Sequence, residues 1–123
     1  MPSISERAVV RELPEHERPI SEEFRLAAKE WVEKEKAASL YEETKSSVLS
    51  QMMLRLGDMP VSRAEMNVKA SQDWRDFLEK MVEARAEANL ARVKMKWTEL
   101  RYGEWQSSDA NARKERHMGR QAV

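Results

Sequence analysis

Apolar residues recur at helical spacing over most of the chain, and the longest such pattern runs from Trp74 to Trp105. Read in sevens, it forms two series of positions, three residues apart, in which only Thr98 is polar. A seam of this kind predicts one long helix that packs against another helix. The members of this seam are Trp74, Phe77, Met81, Ala84, Ala88, Ala91, Met95, Thr98, Tyr102 and Trp105.

A second apolar stripe lies on the same predicted helix, again with members three or four residues apart. One apolar face is enough for a helix that packs on a single partner, so two faces predict two partners. A chain of 123 residues can hardly supply both, and we expect copies of it to associate as a homo-oligomer. The stripe comprises Val82, Ala86, Leu90, Val93, Trp97 and Leu100, and the predicted oligomer interface comprises Trp74, Phe77, Met81, Ala84, Ala88, Leu90, Ala91, Val93 and Met95.

An earlier helix is predicted to begin after an N-cap at Ser21 and to continue without glycine or proline to Leu56. Gly57 is expected to end it as the residue after the C-cap. Its last turns are the most apolar part and should be the best buried. The apolar positions with helical spacing are Phe24, Ala28, Trp31, Ala38, Tyr41, Val48 and Met52.

Two further caps are predicted beyond that turn. Ser62 with Glu65 has the capping-box pattern and should open a short helix to about Ala70. Ser71-Gln72-Asp73 resembles a second cap and should start the long helix at Gln72 or Asp73. The long helix should end within residues 106–109. The alanine-rich centre of its seam suits pairing either within one chain or between chains.

These patterns predict an all-α fold in which two long helices and a short helical connector form an elongated helical hairpin that is oligomeric. Residues 1–20 are expected to be a flexible N-terminal arm, 21–106 a helical domain and 107–123 a basic C-terminal tail. The alternative for the arm is that it lies on a neighbouring subunit through Val9, Val10 and Leu13.

Charge and composition narrow the function classes. The 22 basic and 22 acidic residues balance, but residues 63–123 carry 13 basic and ten acidic side chains, which places the positive end with the long helix. The absence of cysteine excludes disulfides and thiolate sites. No apolar run resembles a signal peptide or a membrane span, so we expect a cytoplasmic protein without membrane partners.

Catalytic patterns are missing from the sequence, and we expect a protein that is not an enzyme and uses no cofactor. His16 and His117 have no carboxylate constellation around them. Glu79, Glu83 and Glu87 lie four apart on one predicted helix face. A helical-bundle metal site needs Glu-x-x-His, which is absent, so no metal site is predicted.

A basic cluster on the long helix indicates nucleic-acid binding rather than catalysis or metal binding. Arg92, Lys94, Lys96 and Arg101 surround Trp97, and cations with an aromatic ring are what sequence-independent binding of single strands requires. The alternative is that Trp97 belongs only to the apolar stripe and that the cations are solvated. Further candidates for nucleic-acid binding, or for an ordinary basic tail, are Arg113, Lys114 and Arg116.

Three segments carry a resemblance to a known family: Arg63-Ala64-Glu65-Met66, Ala70-Ser71 with Trp74, and the alanine- and arginine-rich helix ending in Arg101-Tyr102-x-x-Trp105. Over roughly residues 22–105, the chain resembles small phage-encoded recombination mediators. The resemblance implies an all-helical protein that forms rings, binds single-stranded DNA and loads a recombinase onto DNA coated with single-strand-binding protein. It also implies Lys94, Lys96 and Arg101 as DNA-facing residues, although the family's basic stretch near the end of the first helix is reduced here to Lys45 and Arg55.

Two functions therefore stand as expectations. The first is a phage recombination or replication accessory protein, located in the host cytoplasm if phage-encoded. It would bind single-stranded DNA and help to load a recombinase. The alternative is a helical structural, assembly or adaptor protein that acts by protein–protein contacts only.

Overall fold

The computed structural model of the protein describes the backbone of residues 19–121 and the side chains of residues 19–119. Of residues 19–121, 92% are helical and none forms a strand, which confirms the all-α class. Three helices make up this part of the chain: α1 (Ile20–Arg55), α2 (Val61–Lys69) and α3 (Gln72–Gln121). The predicted arm falls almost entirely outside the described residues, as do Val9, Val10 and Leu13.

Prolines rather than serines precede the first two helices. The Pro19 carbonyl accepts hydrogen bonds from the backbone N–H groups of Glu22 and Glu23, both at 3.0 Å, so the predicted cap at Ser21 is wrong. At α2 the N-cap is Pro60, without a side-chain cap, so the predicted capping box is wrong as well. The preset φ of proline suits a helix start, and its carbonyl can accept the first intrahelical bonds.

The turns after α1 and α2 follow the prediction more closely. Gly57 has φ +87°, the left-handed conformation that glycine adopts without steric cost, and its N–H donates to the Leu54 carbonyl at 3.2 Å. Before α3, the Ser71 hydroxyl accepts a hydrogen bond from the Trp74 N–H at 3.3 Å. Within the predicted segment Ser71-Gln72-Asp73, Ser71 is therefore the cap, and the helix begins at Gln72, the earlier of the two predicted starts.

Helix α3 continues well past its predicted end. The sequence suggested an end within residues 106–109, whereas the helix reaches Gln121. The added turns contain good helix formers and an ion pair between Arg113 and Asp109, four residues apart. Gly103 lies in the interior of the helix at a cost of about 1 kcal/mol, which flanking helix formers can offset.

The described residues fall into two compact units. The central unit, residues 31–91, has a core of mostly small side chains around one aromatic cluster. Within it the Tyr41 and Phe77 rings pack edge to face at 5.9 Å, and Trp74 stacks on Phe77 at 5.6 Å. The buried residues of this unit are Ala38, Ala64, Val68, Trp74, Ala88 and Ala91.

The terminal unit comprises residues 19–30 and 92–121. Its buried residues are Ala27, Met95 and Thr98, and Phe24 stacks on Tyr102 at a centroid distance of 6.1 Å. The Thr98 hydroxyl donates to the Lys94 carbonyl at 2.7 Å, which allows a polar residue to occupy a buried seam position.

In both units the seam is the buried or half-buried face of α3. The exception is Trp105, which is exposed. The last turns of α1 are less buried than predicted, because Leu54 is 79% exposed and Leu56 is exposed as well. The best-buried positions of α1 are instead Ala27 and Ala38. Between residues 19 and 121, no helix carries an apolar stretch that could span a membrane.

Candidate nucleic-acid interface

The second apolar stripe is exposed along its whole length. In the terminal unit Val93, Trp97 and Leu100 are all exposed, with 58% of Trp97 open to solvent. In the central unit Val82 and Leu90 are exposed too. An α-helix turns about 100° per residue, so the spacing of Val93, Trp97 and Leu100 places them on the side of α3 opposite the buried Met95. This part of the stripe therefore leaves more than half of each of these three residues open to solvent.

Two of the four cations around Trp97 are engaged by carboxylates of α1. The Arg101 Nη1 lies 3.2 Å from the Glu23 Oε2, and the Lys94 Nζ lies 3.7 Å from the Glu30 Oε2. Both pairs lie within the terminal unit. Arg101 and Lys94 are therefore held against the first helix as well as projecting from α3.

The Arg101 guanidinium also covers the Trp97 ring, with its central carbon 4.9 Å from the ring centroid. This distance is within the range of a cation–π interaction. One side chain thus connects the aromatic ring to the Glu23 carboxylate, and Trp97 retains exposed surface beside it.

Arg92 and Lys96 differ from the other two cations. Both side chains are exposed, and neither forms an ion pair with any residue from 19 to 119. Residue spacing places them on the flank of the stripe opposite Lys94 and Arg101. The basic cluster is therefore two flanks with an apolar strip between them, rather than one continuous patch.

A small open pocket of about 90 Å³ lies where α1 and α3 meet in the terminal unit. Its walls combine the two ion pairs with the Trp97 ring and with Leu26, Ala27 and Thr98. Acidic, basic and aromatic groups therefore converge there.

The more distant cations lie on the last turns of α3. Arg113 pairs with Asp109, and the Arg116 Nε donates to the Ala112 carbonyl at 3.3 Å. Lys114 is exposed and forms no ion pair with a described residue. These side chains lie on a helix rather than in a tail.

The residues predicted for the oligomer interface separate into two groups. The exposed group comprises Leu90 and Val93. The other group is buried or half-buried within its own unit and comprises Trp74, Phe77, Met81, Ala84, Ala88, Ala91 and Met95.

Sequence reasoning missed Glu23 and Glu30 as part of the site. A signal was present, since the two acids are seven residues apart on the first helix and Lys94 and Arg101 are seven apart on the last. Opposite charges with the same heptad spacing on two helices can pair when the helices run antiparallel.

One member of the acidic series on α3 is paired with a lysine of α1. Glu87 lies 3.1 Å from the Lys34 Nζ, so one of its carboxylates is already an ion-pair partner. Among the described residues, no three His, Asp or Glu side chains are grouped closely enough to hold a metal ion.

Comparison of the chain with models of protein families, with curated proteins and with solved structures finds no match.

Proposed function

We propose that the protein binds single-stranded DNA without sequence preference and without a catalytic step. Following the resemblance to phage recombination mediators, it acts in the cytoplasm as an accessory that helps a recombinase assemble on DNA coated with single-strand-binding protein. The observation that carries the proposal is the exposed Trp97 beside the exposed Arg92 and Lys96, neither of which has an ion-pair partner among the described residues. A ring for base stacking and free cations for phosphates are the two components that such binding needs.

Self-association is the second part of the proposal. In it, α1, α2 and α3 form a helical hairpin, and copies associate through the exposed stripe and close into a ring. A few phosphate contacts per chain bind weakly, but the same contacts repeated in an oligomer act together on one strand. Association also covers apolar side chains that the single chain leaves in water.

The test is the affinity for a labelled oligothymidine, measured by fluorescence anisotropy at several salt concentrations. Wild-type protein is expected to bind more weakly as salt rises, because phosphate contacts release condensed cations. Arg92→Glu with Lys96→Glu should abolish binding and leave the mass in solution unchanged. The matched control is Lys29→Glu with Lys36→Glu, which changes the charge equally at exposed positions of α1.

Retention of wild-type affinity by the Arg92 and Lys96 double variant would remove these residues from the site. Equal loss in the Lys29 and Lys36 control would show that only the overall charge matters. A chain that stays monomeric in sedimentation experiments would contradict the proposed assembly.

A second candidate function is a structural or adaptor protein that uses only protein–protein contacts. It is favoured by the ion pairs of Lys94 with Glu30 and of Arg101 with Glu23, which leave fewer cations for phosphate. An oligomer that does not bind the oligonucleotide at low salt would support this candidate over the first.

A further inference from the structure

Glu23 and Glu30 form ion pairs with Arg101 and Lys94, the cations that would otherwise bind the phosphates of a nucleic acid. The pairs lie one heptad apart, Glu23 with Arg101 at 3.2 Å and Glu30 with Lys94 at 3.7 Å. Carboxylates and phosphates bind guanidinium and ammonium groups through the same charge-assisted hydrogen bonds. Each carboxylate is therefore a competitor of phosphate, carried by the chain itself.

We propose that Glu23 and Glu30 set the affinity of the site, because phosphates of a single strand must displace them from Arg101 and Lys94. This inference rests on the proposed function and adds a step to it. The strand first contacts Arg92 and Lys96, whose exposed side chains have no ion pair to break with any residue from 19 to 119. Exchange at Lys94 and Arg101 then adds two phosphate contacts across the stripe.

The two carboxylates do not compete equally. The Lys94–Glu30 distance is longer than the Arg101–Glu23 distance, and both side chains of the Lys94–Glu30 pair are about half exposed. A surface ion pair of this kind contributes little free energy. Glu23 is only 9% exposed in its side chain, so its bond to Arg101 is better shielded from solvent. A phosphate should accordingly displace the Glu30 carboxylate more easily than the Glu23 carboxylate.

Displacement of Glu23 also affects the aromatic ring. The Arg101 guanidinium lies over Trp97 while its Nη1 reaches Glu23. A phosphate that draws Arg101 away from Glu23 moves this cation relative to the ring and opens more of the indole to a base. Phosphate exchange and base stacking are thereby coupled through a single side chain.

The test compares wild-type protein, Glu30→Gln and Glu23→Gln in oligothymidine binding by fluorescence anisotropy at low and moderate salt. Glutamine keeps the side-chain size and removes the competing charge. The affinity should rise by about 1.5- to 5-fold for Glu30→Gln, the usual worth of an exposed pair. For Glu23→Gln the rise should be larger, on the order of tenfold. Both gains should shrink as salt screens the intramolecular pairs of wild-type protein.

The matched control is Glu104→Gln. Glu104 is exposed, lies three residues from Arg101 and forms no ion pair with a described residue, so its substitution removes the same charge without freeing a cation. A gain confined to the Glu23 and Glu30 variants supports the inference. A gain of equal size in Glu104→Gln would assign the effect to overall charge and overturn it.

The remaining outcomes separate the inference from the proposed function. Binding by wild-type protein with the same affinity as both variants would overturn the inference alone. Absence of binding by wild-type protein and by every variant would overturn the proposed function and the inference with it. Circular dichroism monitors folding, and if Glu23→Gln unfolds, Glu30→Gln carries the test because its ion pair is exposed.

Discussion

The Arg101 guanidinium carbon lies 4.9 Å from the centroid of the Trp97 ring, and Arg101 also reaches the Glu23 carboxylate at 3.2 Å. The exposed ring is thus linked to the first helix through a single cation. This relationship makes Trp97 part of a charged site as well as part of an apolar stripe.

Replacement of Trp97 by alanine should weaken oligonucleotide binding by about five- to 100-fold, the usual loss when a stacking ring is removed. Trp97→Phe should retain most of the affinity because it keeps a ring at the same place. Affinity for oligothymidine, measured at a single salt concentration, checks both variants. Unchanged binding by Trp97→Ala would exclude stacking on this residue.

Trp74→Ala should instead destabilise the fold, by about 3–5 kcal/mol, because it removes a large ring from the core of the central unit. Trp74 is 4% exposed and stacks on Phe77. Urea unfolding followed by circular dichroism measures the change in the free energy of unfolding. Trp97→Ala, at an exposed position, is the control and should change it far less; equal losses would contradict the assigned burial.

Gly57→Ala should destabilise the protein by about 1–2 kcal/mol, because a side chain at φ +87° is strained. Gly103→Ala should stabilise it by about 0.5–1 kcal/mol, since this glycine lies inside α3 and its added methyl group would meet nothing within 4 Å. The two substitutions are chemically identical and differ only in backbone conformation. Thermal unfolding of both variants tests the opposite signs, and a shared sign would contradict the structure.

Lowering the pH should remove the contribution that the Arg85–Glu42 ion pair makes to the stability of the fold. Hydrogen bonds from Arg85 lower the pKa of Glu42 below its ordinary value of 4.5. A lowered pKa in the folded state means that the contribution is complete above pH 4.5 and is lost as pH falls through the folded-state pKa. Glu42→Gln should therefore be less stable than wild-type protein at neutral pH and equally stable once the pH is below the folded-state pKa of Glu42.

Thermal unfolding across that pH range measures the difference. Glu43→Gln is the control, because Glu43 is adjacent, exposed and without an ion pair among the described residues. The prediction fails if the difference between Glu42→Gln and wild-type protein persists at low pH.

The helices and the buried face of α3 were predictable because they depend on local spacing. Heptad positions such as Ala88 and Met95 are buried, and Gly57 ends α1 as its backbone freedom suggests. The errors have local causes as well. Pro19 and Pro60 precede their helices through backbone carbonyls, whereas the prediction relied on side-chain caps.

The candidate site was less predictable, because it depends on which groups face one another across helices. The sequence shows Lys94, Lys96 and Arg101 as equivalent cations, but α1 engages only Lys94 and Arg101. The exposure of the stripe could be inferred from its position opposite the seam. Which acids would meet which cations required the alignment of α1 with α3 in the terminal unit.

In the central unit, Arg85 determines how α1 and α3 are aligned along their length. Its Nη1 lies 2.7 Å from Glu35 and its Nη2 lies 2.6 Å from Glu42, so one guanidinium bridges two carboxylates seven residues apart on α1. Small buried side chains such as Ala88 offer little steric resistance to the sliding of one helix along another. The planar guanidinium can bridge Glu35 and Glu42 in only one register of α1 against α3. Arg85 therefore fixes the register of two helices whose small side chains would otherwise allow them to shift.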